Sequence, residues 1–291
     1  MRIPHPIPYQ GSKRRLAPAI LAWSPPTVER IVEPFAGSAA LSLAALATGQ
    51  ARSVALNDAN APLMALWDAI VHQPASLAEA YAEVWDGQHG REQAYFAAVR
   101  AEFNRTAQPQ HLLFLLTRCV KAAVRYNAQG AFNQSADHRR RGTHPNTMRR
   151  QILDTARLLG NKTSLSAADY RDVLSTSTSH DLVYLDPPYQ GVCGPRDQRY
   201  AQTISFADFV EALRWLNQRE IAYLLSYDGR SGSKAFGQPL PSSLHLQRIE
   251  LDAGPSAQAT LLGRRVVTHE ALYLSPALLR RREVVTYRSI M

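Results

Sequence analysis

Short apolar runs that read as β-strands alternate along this chain with stretches that read as helices. That alternation restricts the possible folds more than any other feature. Strand-like runs fall at 31–34, 53–56, 182–185 and 221–226, and helix-like runs at 38–48, 61–72 and 206–218 follow three of them. The last helix-like run places Phe206, Phe209, Val210, Leu213 and Leu216 at helical spacing. Ser205 stands where it can cap that helix, and Asp208 falls in its first turn. Strands alternating with helices imply βαβ units and a mostly parallel sheet. The rhythm breaks in the middle. From about 61 to 116 the pattern is helical throughout, and Arg125–Tyr–Asn–Ala–Gln–Gly–Ala–Phe–Asn133 then reads as a hairpin or ordered loop around 127–130. We therefore expect an α/β core formed by residues 1–61 and 149–291, with 62–148 inserted as a mainly helical module bearing a hairpin.

The strongest chemical signal is Val183–Tyr–Leu–Asp–Pro–Pro–Tyr189. An apolar strand ends in Asp186, and ligands of open α/β sheets sit at the carboxyl ends of strands. The prolines fix the backbone and carry no N–H. The Asp186 carboxylate and the Pro187 carbonyl can then both accept from one external donor, while Tyr189 offers a flat face. An amino group on a planar heterocycle needs this combination. A Pro–Pro turn with an incidental acid would read the same way.

A second signal is Ile31–Val–Glu–Pro–Phe–Ala–Gly–Ser–Ala39, a strand running through a small-residue turn into a helix. Small residues let a cofactor approach the backbone closely. Asp58 follows Gly37 by 21 residues, at the end of the next strand-like run; an acid near that spacing binds ribose hydroxyls. Helix capping within Asn57–Asp–Ala–Asn60 is the plain alternative. A third segment, Tyr9–Gln–Gly–Ser–Lys13, precedes a helical stretch at 14–20 and is a basic turn without further specificity. No GxxxxGK[ST] pattern occurs, which argues against an ATP-type phosphate cradle.

Charge points to a polyanion. Among 33 basic residues 29 are arginine, giving a net charge of +9, and arginine suits bidentate contact with phosphate or guanine. An arginine-rich codon bias would produce the same count. Residues 138–150 hold five arginines and no acid, next to the hairpin; a solvated surface or a nucleic-acid contact both fit. Cys119 and Cys193 are too few for a disulfide framework or a cysteine-rich zinc site. His72, His89, His111, His144, His180 and His269 lack ligand spacing, so no metal is expected. Trp67, Trp85 and Trp215 lie on apolar helical faces and are expected in the core. No long apolar segment is present and the N-terminus lacks a signal-peptide core, so we expect a cytoplasmic protein without a membrane span.

Taken in order, these segments resemble the Dam-type, D12-class adenine-specific DNA methyltransferases. Tyr9–Gln–Gly–Ser–Lys13 looks like that family's N-terminal motif, and Glu33–Pro–Phe–Ala–Gly37 like its cofactor loop. Leu56–Asn–Asp–Ala–Asn60 looks like its ribose-binding segment. Arg125–Tyr–Asn with Gly130–Ala–Phe–Asn133 looks like its DNA-reading hairpin, and Asp186–Pro–Pro–Tyr189 is its catalytic tetrapeptide. The resemblance implies a Rossmann-like methyltransferase sheet that binds S-adenosylmethionine, with 62–148 as the DNA target-recognition domain. It carries Tyr9, Lys13, Glu33, Pro34, Phe35, Ala36, Gly37, Asp58, Asp169 and Tyr170 over as cofactor contacts. Asp186, Pro187, Pro188 and Tyr189 become the catalytic set. Lys121, Arg125, Asn127 and Asn133 become DNA contacts on or beside the hairpin, and Arg139, Arg140 and Arg141 are expected to meet phosphate. The chain departs from the family at Ala39, where relatives usually have glycine. It departs again at Val120–Lys–Ala122, where they often carry Tyr-Asn-Gly, and at Gln134–Ser135; the recognition sequence therefore does not transfer.

The implied function is methylation of adenine N6 in double-stranded DNA, with the base flipped out of the helix, and the implied partners are that DNA and a restriction endonuclease. Neither cysteine follows a proline, which argues against cytosine-C5 chemistry. The same chemistry on cytosine N4, RNA or a protein amide, and a DNA-binding relative without turnover, are the competing readings. Asp rather than Ser or Asn at 186 favours adenine by resemblance.

Overall fold

The structure is a computed structural model and describes residues 3–188, 204–231, 234–236, 238–255 and 267–282. After a 3-10 turn over Lys13–Arg15 come α1 (Ala17–Leu21), β1 (Val28–Glu33), α2 (Ala40–Ala47) and β2 (Ala51–Asn57). Five helices follow: α3 (Ala61–His72), α4 (Pro74–Asp86), α5 (Glu92–Thr106), α6 (Pro109–Arg118) and α7 (Pro145–Leu159). The chain returns through β3 (Thr163–Ser166), α8 (Tyr170–Ser175), β4 (Asp181–Leu185), α9 (Phe206–Gln218) and β5 (Ala222–Ser231). It continues with β6 (Lys234–Phe236), β7 (Gln247–Pro255) and β8 (Val267–Leu274), and a last helical stretch covers 276–282.

The strands order as β3-β2-β1-β4-β5-β8-β7, with β6 paired onto the end of β5. Pairs among the first five strands in that order are parallel, and β5–β8, β8–β7 and β5–β6 are antiparallel. Every residue of β4 is buried, as a parallel strand covered on both faces requires. Its side chains alternate between two cores. Leu182 and Tyr184 join one with Ile31 and Leu224, and Val183 and Leu185 join the other with Val32 and Tyr223. Helices α8 and α9 belong to the second core, and α1 to α7 all contribute side chains to the first, with α4 to α6 packed on other helices of that side. The segment between β2 and β3 shares the first core: Trp67, Tyr81, Phe103, Phe114 and Ile152 belong to the same apolar cluster as Ile31 and Val54.

Local chemistry marks the element ends. Pro62, Pro74, Pro109 and Pro145 stand in the first turns of α3, α4, α6 and α7, where a missing N–H costs nothing. Asn60 caps α3, and Ser205 caps α9 as its position in the sequence suggests. Of the tryptophans, Trp67 is fully buried; Trp85 and Trp215 are only half-buried, one against His89 and His144 and the other under Arg219. The chain moves outward in opposite directions from β1 and from β4. Those neighbours form the switch point of the sheet, and a crevice opens beyond their carboxyl ends.

Candidate active site

Asp186 leaves β4 at that crevice. Its two oxygens lie 2.9 Å from Nζ of Lys13, which opens the first turn of the chain. Gly11, at φ 83°, lets the preceding segment fold back, and its carbonyl accepts from the same ammonium at 3.3 Å. Glu270 of β8 stands on the other side, 3.4 Å from Nζ. Burial opposes the charge on Lys13, but Asp186 and Glu270 outweigh it and hold its pKa above the ordinary lysine value. Burial, reinforced by Asp186 and opposed by Lys13, raises the Glu270 carboxyl above its usual range.

The small-residue turn follows β1. Gly37 has φ 48°, and its N–H donates to Asp58 Oδ2 at 3.1 Å. Its carbonyl accepts from Trp67 Nε1 at 3.0 Å. The Tyr9 ring lies over it, 3.2 Å from where a β-carbon would stand, so the close approach requires glycine. Glu33 is buried at the end of β1 and accepts from the Ser42 N–H in the first turn of α2 at 2.7 Å. Burial is the larger effect and pushes its pKa up to about 7.

Asp58 follows β2, half-buried, with its other oxygen accepting from the Asn60 N–H at 2.9 Å. Burial raises its pKa against these two donors. Asn57 beside it is fully satisfied. It donates to the carbonyls of Pro34 and Ala168 and accepts from the Ser166 hydroxyl and the Ala168 N–H, at 2.7–3.1 Å. It thereby ties the turn after β1 to the loop after β3. That loop sets Tyr170 against Phe35, ring centroids 5.3 Å apart. The buried Tyr170 hydroxyl has no hydrogen-bond partner among the described residues. Asp169 is engaged elsewhere: it caps α8 and binds the Arg171 guanidinium at 2.9 and 3.2 Å.

One cavity joins these parts. Tyr9, Lys13, the Glu33–Gly37 turn, Asp58, Tyr170, Asp186, Pro187 and Pro188 all line it. Asp169 does not. Tyr189 lies outside the described residues. The lining combines three carboxylates, one ammonium, a paired aromatic face and a turn without side-chain bulk. Such a donor set suits a nucleoside with ribose hydroxyls and a positive charge.

The hairpin rises beside the cavity. Tyr126 bridges Phe132 and Cys119 bridges Ala136 in antiparallel fashion. The turn closes through Gly130 N–H to Asn127 O at 2.9 Å. The Asn127 side chain accepts from Gln129 and Ala131 N–H groups and so holds the turn itself. Tyr126 donates to Asn60 at 3.1 Å, and the Gln10 N–H to Ala122 O at 3.0 Å, which ties the hairpin to the turn after β2 and to the segment ahead of Lys13. Lys121 and Ala122 both have positive φ, at 60° and 51°. Lys121 and Asn133 are exposed and Arg125 is half-buried. Arg139 and Arg140 each pair with the buried Asp137 at 3.2 Å, and Arg141 with Glu92 at 3.4 Å, while staying exposed. The acid-free stretch read from 138 onward thus meets one acid from just ahead of it, Asp137, and one from the start of α5, Glu92. Among the described residues no group of three acidic, histidine or cysteine side chains could hold a metal, and no helix is long and apolar enough to cross a membrane.

Glu270, Asn57 and Trp67 belong to the site's framework and were not singled out for it from the sequence. Asn57 carried a signal, lying inside the Leu56–Asn60 segment. Glu270 carried none, because only the sheet order brings β8 beside Lys13.

Comparison with known proteins gives a consistent result. The family model for the D12 class N6 adenine-specific DNA methyltransferases matches residues 9–250. The chain is similar to the modification methylase StsI of Streptococcus sanguinis, 26% identical over 238 residues that cover 77% of this chain and 35% of that protein. It is 29% identical over 175 residues to the retron Ec67 DNA adenine methylase of Escherichia coli, covering 57% of each. It is also 26% identical over 210 residues to the DNA adenine methylase of Escherichia coli strain K12, covering 69% of this chain and 72% of that protein. The first two matches thus span less than two thirds of those relatives' lengths.

Proposed function

The chain belongs to the D12 class of N6 adenine-specific DNA methyltransferases, and on that premise we propose that it methylates N6 of adenine in a specific sequence of double-stranded DNA, using S-adenosylmethionine. The observation that carries this reading is the shared cavity: the Asp186–Pro187 corner and the Gly37 turn open on the same space. Bound S-adenosylmethionine supplies an electrophilic methyl group on a sulfonium. On this reading Asp58 holds ribose hydroxyls, Phe35 and Tyr170 flank the adenine ring, and Gly37 with Pro34 and Ala36 lets the donor lie against the backbone. Tyr9, Lys13 and Glu33 complete the wall, and Asp169 contributes by capping the turn that presents Tyr170.

The target amino nitrogen is a poor nucleophile because its lone pair is delocalised into the ring. The Asp186 carboxylate and the Pro187 carbonyl accept its two N–H bonds. Those bonds strengthen as the nitrogen becomes tetrahedral and gains positive charge, which favours the transition state over the ground state. Asp186 is then a near acceptor for the proton that the nitrogen sheds. The base must leave the duplex to reach this corner, at a cost of a few kcal/mol; Tyr189 would stack on it. Lys121, Arg125, Asn127 and Asn133 serve the hairpin's contact with DNA, and Arg139 to Arg141 contact phosphate. The protein acts in the cytoplasm. The name modification methylase borne by StsI supports a partner endonuclease as well.

Mapping modified bases in DNA from cells that express the protein tests this reading. We expect N6-methyladenine at one recurring sequence, absent from cells expressing Asp186→Ala. Methyl groups on cytosine N4, or no modified base, would refute it.

A further inference from the structure

Asp186, Lys13 and Glu270 come from three distant parts of the chain: the exit of β4, the first turn, and β8. Lys13 is 5% exposed and its two carboxylate partners 20% and 26%, so the three charges interact with little solvent between them. Two are negative and one positive; Glu33, the buried carboxyl that also feels Asp186, holds its proton up to about pH 7 and adds little charge below it. A lysine paired with Asp186 alone would cancel the carboxylate's charge at the place where methyl transfer creates a cation. Glu270 is not needed for the backbone ladder, which runs through main-chain groups. Its carboxylate lies 3.4 Å from the Lys13 ammonium.

We propose that Glu270 is a positioning residue that offsets the Lys13 charge, so that the Asp186 corner keeps a net negative charge for the cation formed on the target nitrogen. The inference rests on the methyl-transfer reading above. In that reaction the N–CH3 bond forms as the S–CH3 bond breaks, and the positive charge moves from sulfur to nitrogen. Lys13 by itself would repel that charge. With Glu270 in place the group of three attracts it, and attraction in a poorly solvated corner is strong. Glu270 is not among the residues that line the cavity, whereas Lys13 and Asp186 are, and it acts through Lys13. The same surplus charge favours a cationic ligand in the cavity over a neutral one of equal shape.

The test uses the full chain as wild type, Glu270→Gln, Glu270→Asp, Lys13→Met and the Lys13→Met/Glu270→Gln double variant. Single-turnover transfer from labelled S-adenosylmethionine to DNA is measured beside the affinities of sinefungin, a cationic analogue, and of S-adenosylhomocysteine, a neutral one. Glu270→Gln is expected to slow transfer on the order of tenfold and to narrow the preference for sinefungin by a similar factor, while Glu270→Asp keeps most of both. In the Lys13→Met background Glu270 loses the ammonium that keeps its carboxylate ionised against burial, so the Glu270→Gln change should no longer slow transfer, and that comparison stays readable if Glu270→Gln alone folds poorly. Wild-type rate and preference in Glu270→Gln, or an equal loss in both backgrounds, would overturn the inference. If wild type transfers no methyl group yet Glu270→Gln narrows the sinefungin preference, the reaction assignment fails and the charge role stands.

Discussion

The ammonium of Lys13 lies 2.9 Å from both carboxylate oxygens of Asp186, a contact that joins the first turn of the chain to the exit of the central strand β4. The pair fixes the carboxylate at the mouth of the cavity and leaves lone pairs for an incoming amine. Asp186→Ala should lower methyl transfer by about a thousandfold or more, with DNA affinity within about threefold of wild type because phosphate contacts dominate binding. Lys13 keeps Glu270 as a partner in that variant. The stability loss should therefore be about 1–3 kcal/mol, below the roughly 3–5 kcal/mol of a buried charge left wholly alone. Methyl incorporation and denaturant melts measure both; a variant that methylates like wild type removes Asp186 from the chemistry.

Glu33 makes stability depend on pH. Its carboxyl is buried and titrates near 7 in the folded chain, against 4.5 for an ordinary glutamate. Between those values the folded state holds a proton that the unfolded state has released. Stability therefore falls as pH rises from about 4.5 to 7 and levels off above, by about 3 kcal/mol at most for this group. Glu33→Gln should remove that part of the slope. Urea unfolding of both proteins from pH 5 to 8 isolates it, and identical slopes would rule the effect out.

The readable parts of the site share a property: each lies where a strand ends and a short motif begins. Asp186, Gly37 and Asp58 all sit at such junctions, and one cavity collects them. Helix α9 was legible to its ends because a serine cap and a clean apolar stripe mark it. The antiparallel strands β7 and β8 were not, since Gln247–Pro255 and Val267–Leu274 mix polar and apolar residues and no helix separates them. Glu270 inherits that silence. Asp137 stands one residue ahead of the arginine stretch, so a window opened at 138 misses the acid that binds Arg139 and Arg140. Trp85 and Trp215 looked like core residues because helical spacing reports a face and not the depth of its burial.

Ala39 carries a backbone conformation that suits glycine better. It leads into α2 with φ 49° and ψ 35°, fully buried, at the position where the family resemblance flags glycine. Left-handed backbone costs an L-residue about 1–2 kcal/mol, and glycine's greater freedom in the unfolded chain takes back up to about 1 kcal/mol. Losing the buried methyl group costs about 0.8 kcal/mol more, so Ala39→Gly should stabilise the protein only slightly, by up to about 0.5 kcal/mol. A midpoint shift in urea at unchanged slope is the expected signature; a destabilised variant would show that the turn draws more from the alanine methyl than from relaxed backbone.

Arg139, Arg140 and Arg141 present their guanidinium groups to solvent, 81%, 61% and 70% exposed, while Asp137 and Glu92 hold them in place. Three exposed cations beside the hairpin can reach phosphate but offer no fixed geometry for a base edge, so their contribution should not depend on sequence. Replacing all three with alanine should weaken binding to target and unrelated DNA by the same factor and lower the slope of log affinity against log salt by about 2–3. Asp137→Asn removes the charge that partly neutralises Arg139 and Arg140, and should tighten binding to both DNAs. Salt titrations on a target duplex and a scrambled one decide the matter: a loss confined to the target would make these arginines readers of sequence, and an unchanged salt slope would take them off the DNA altogether.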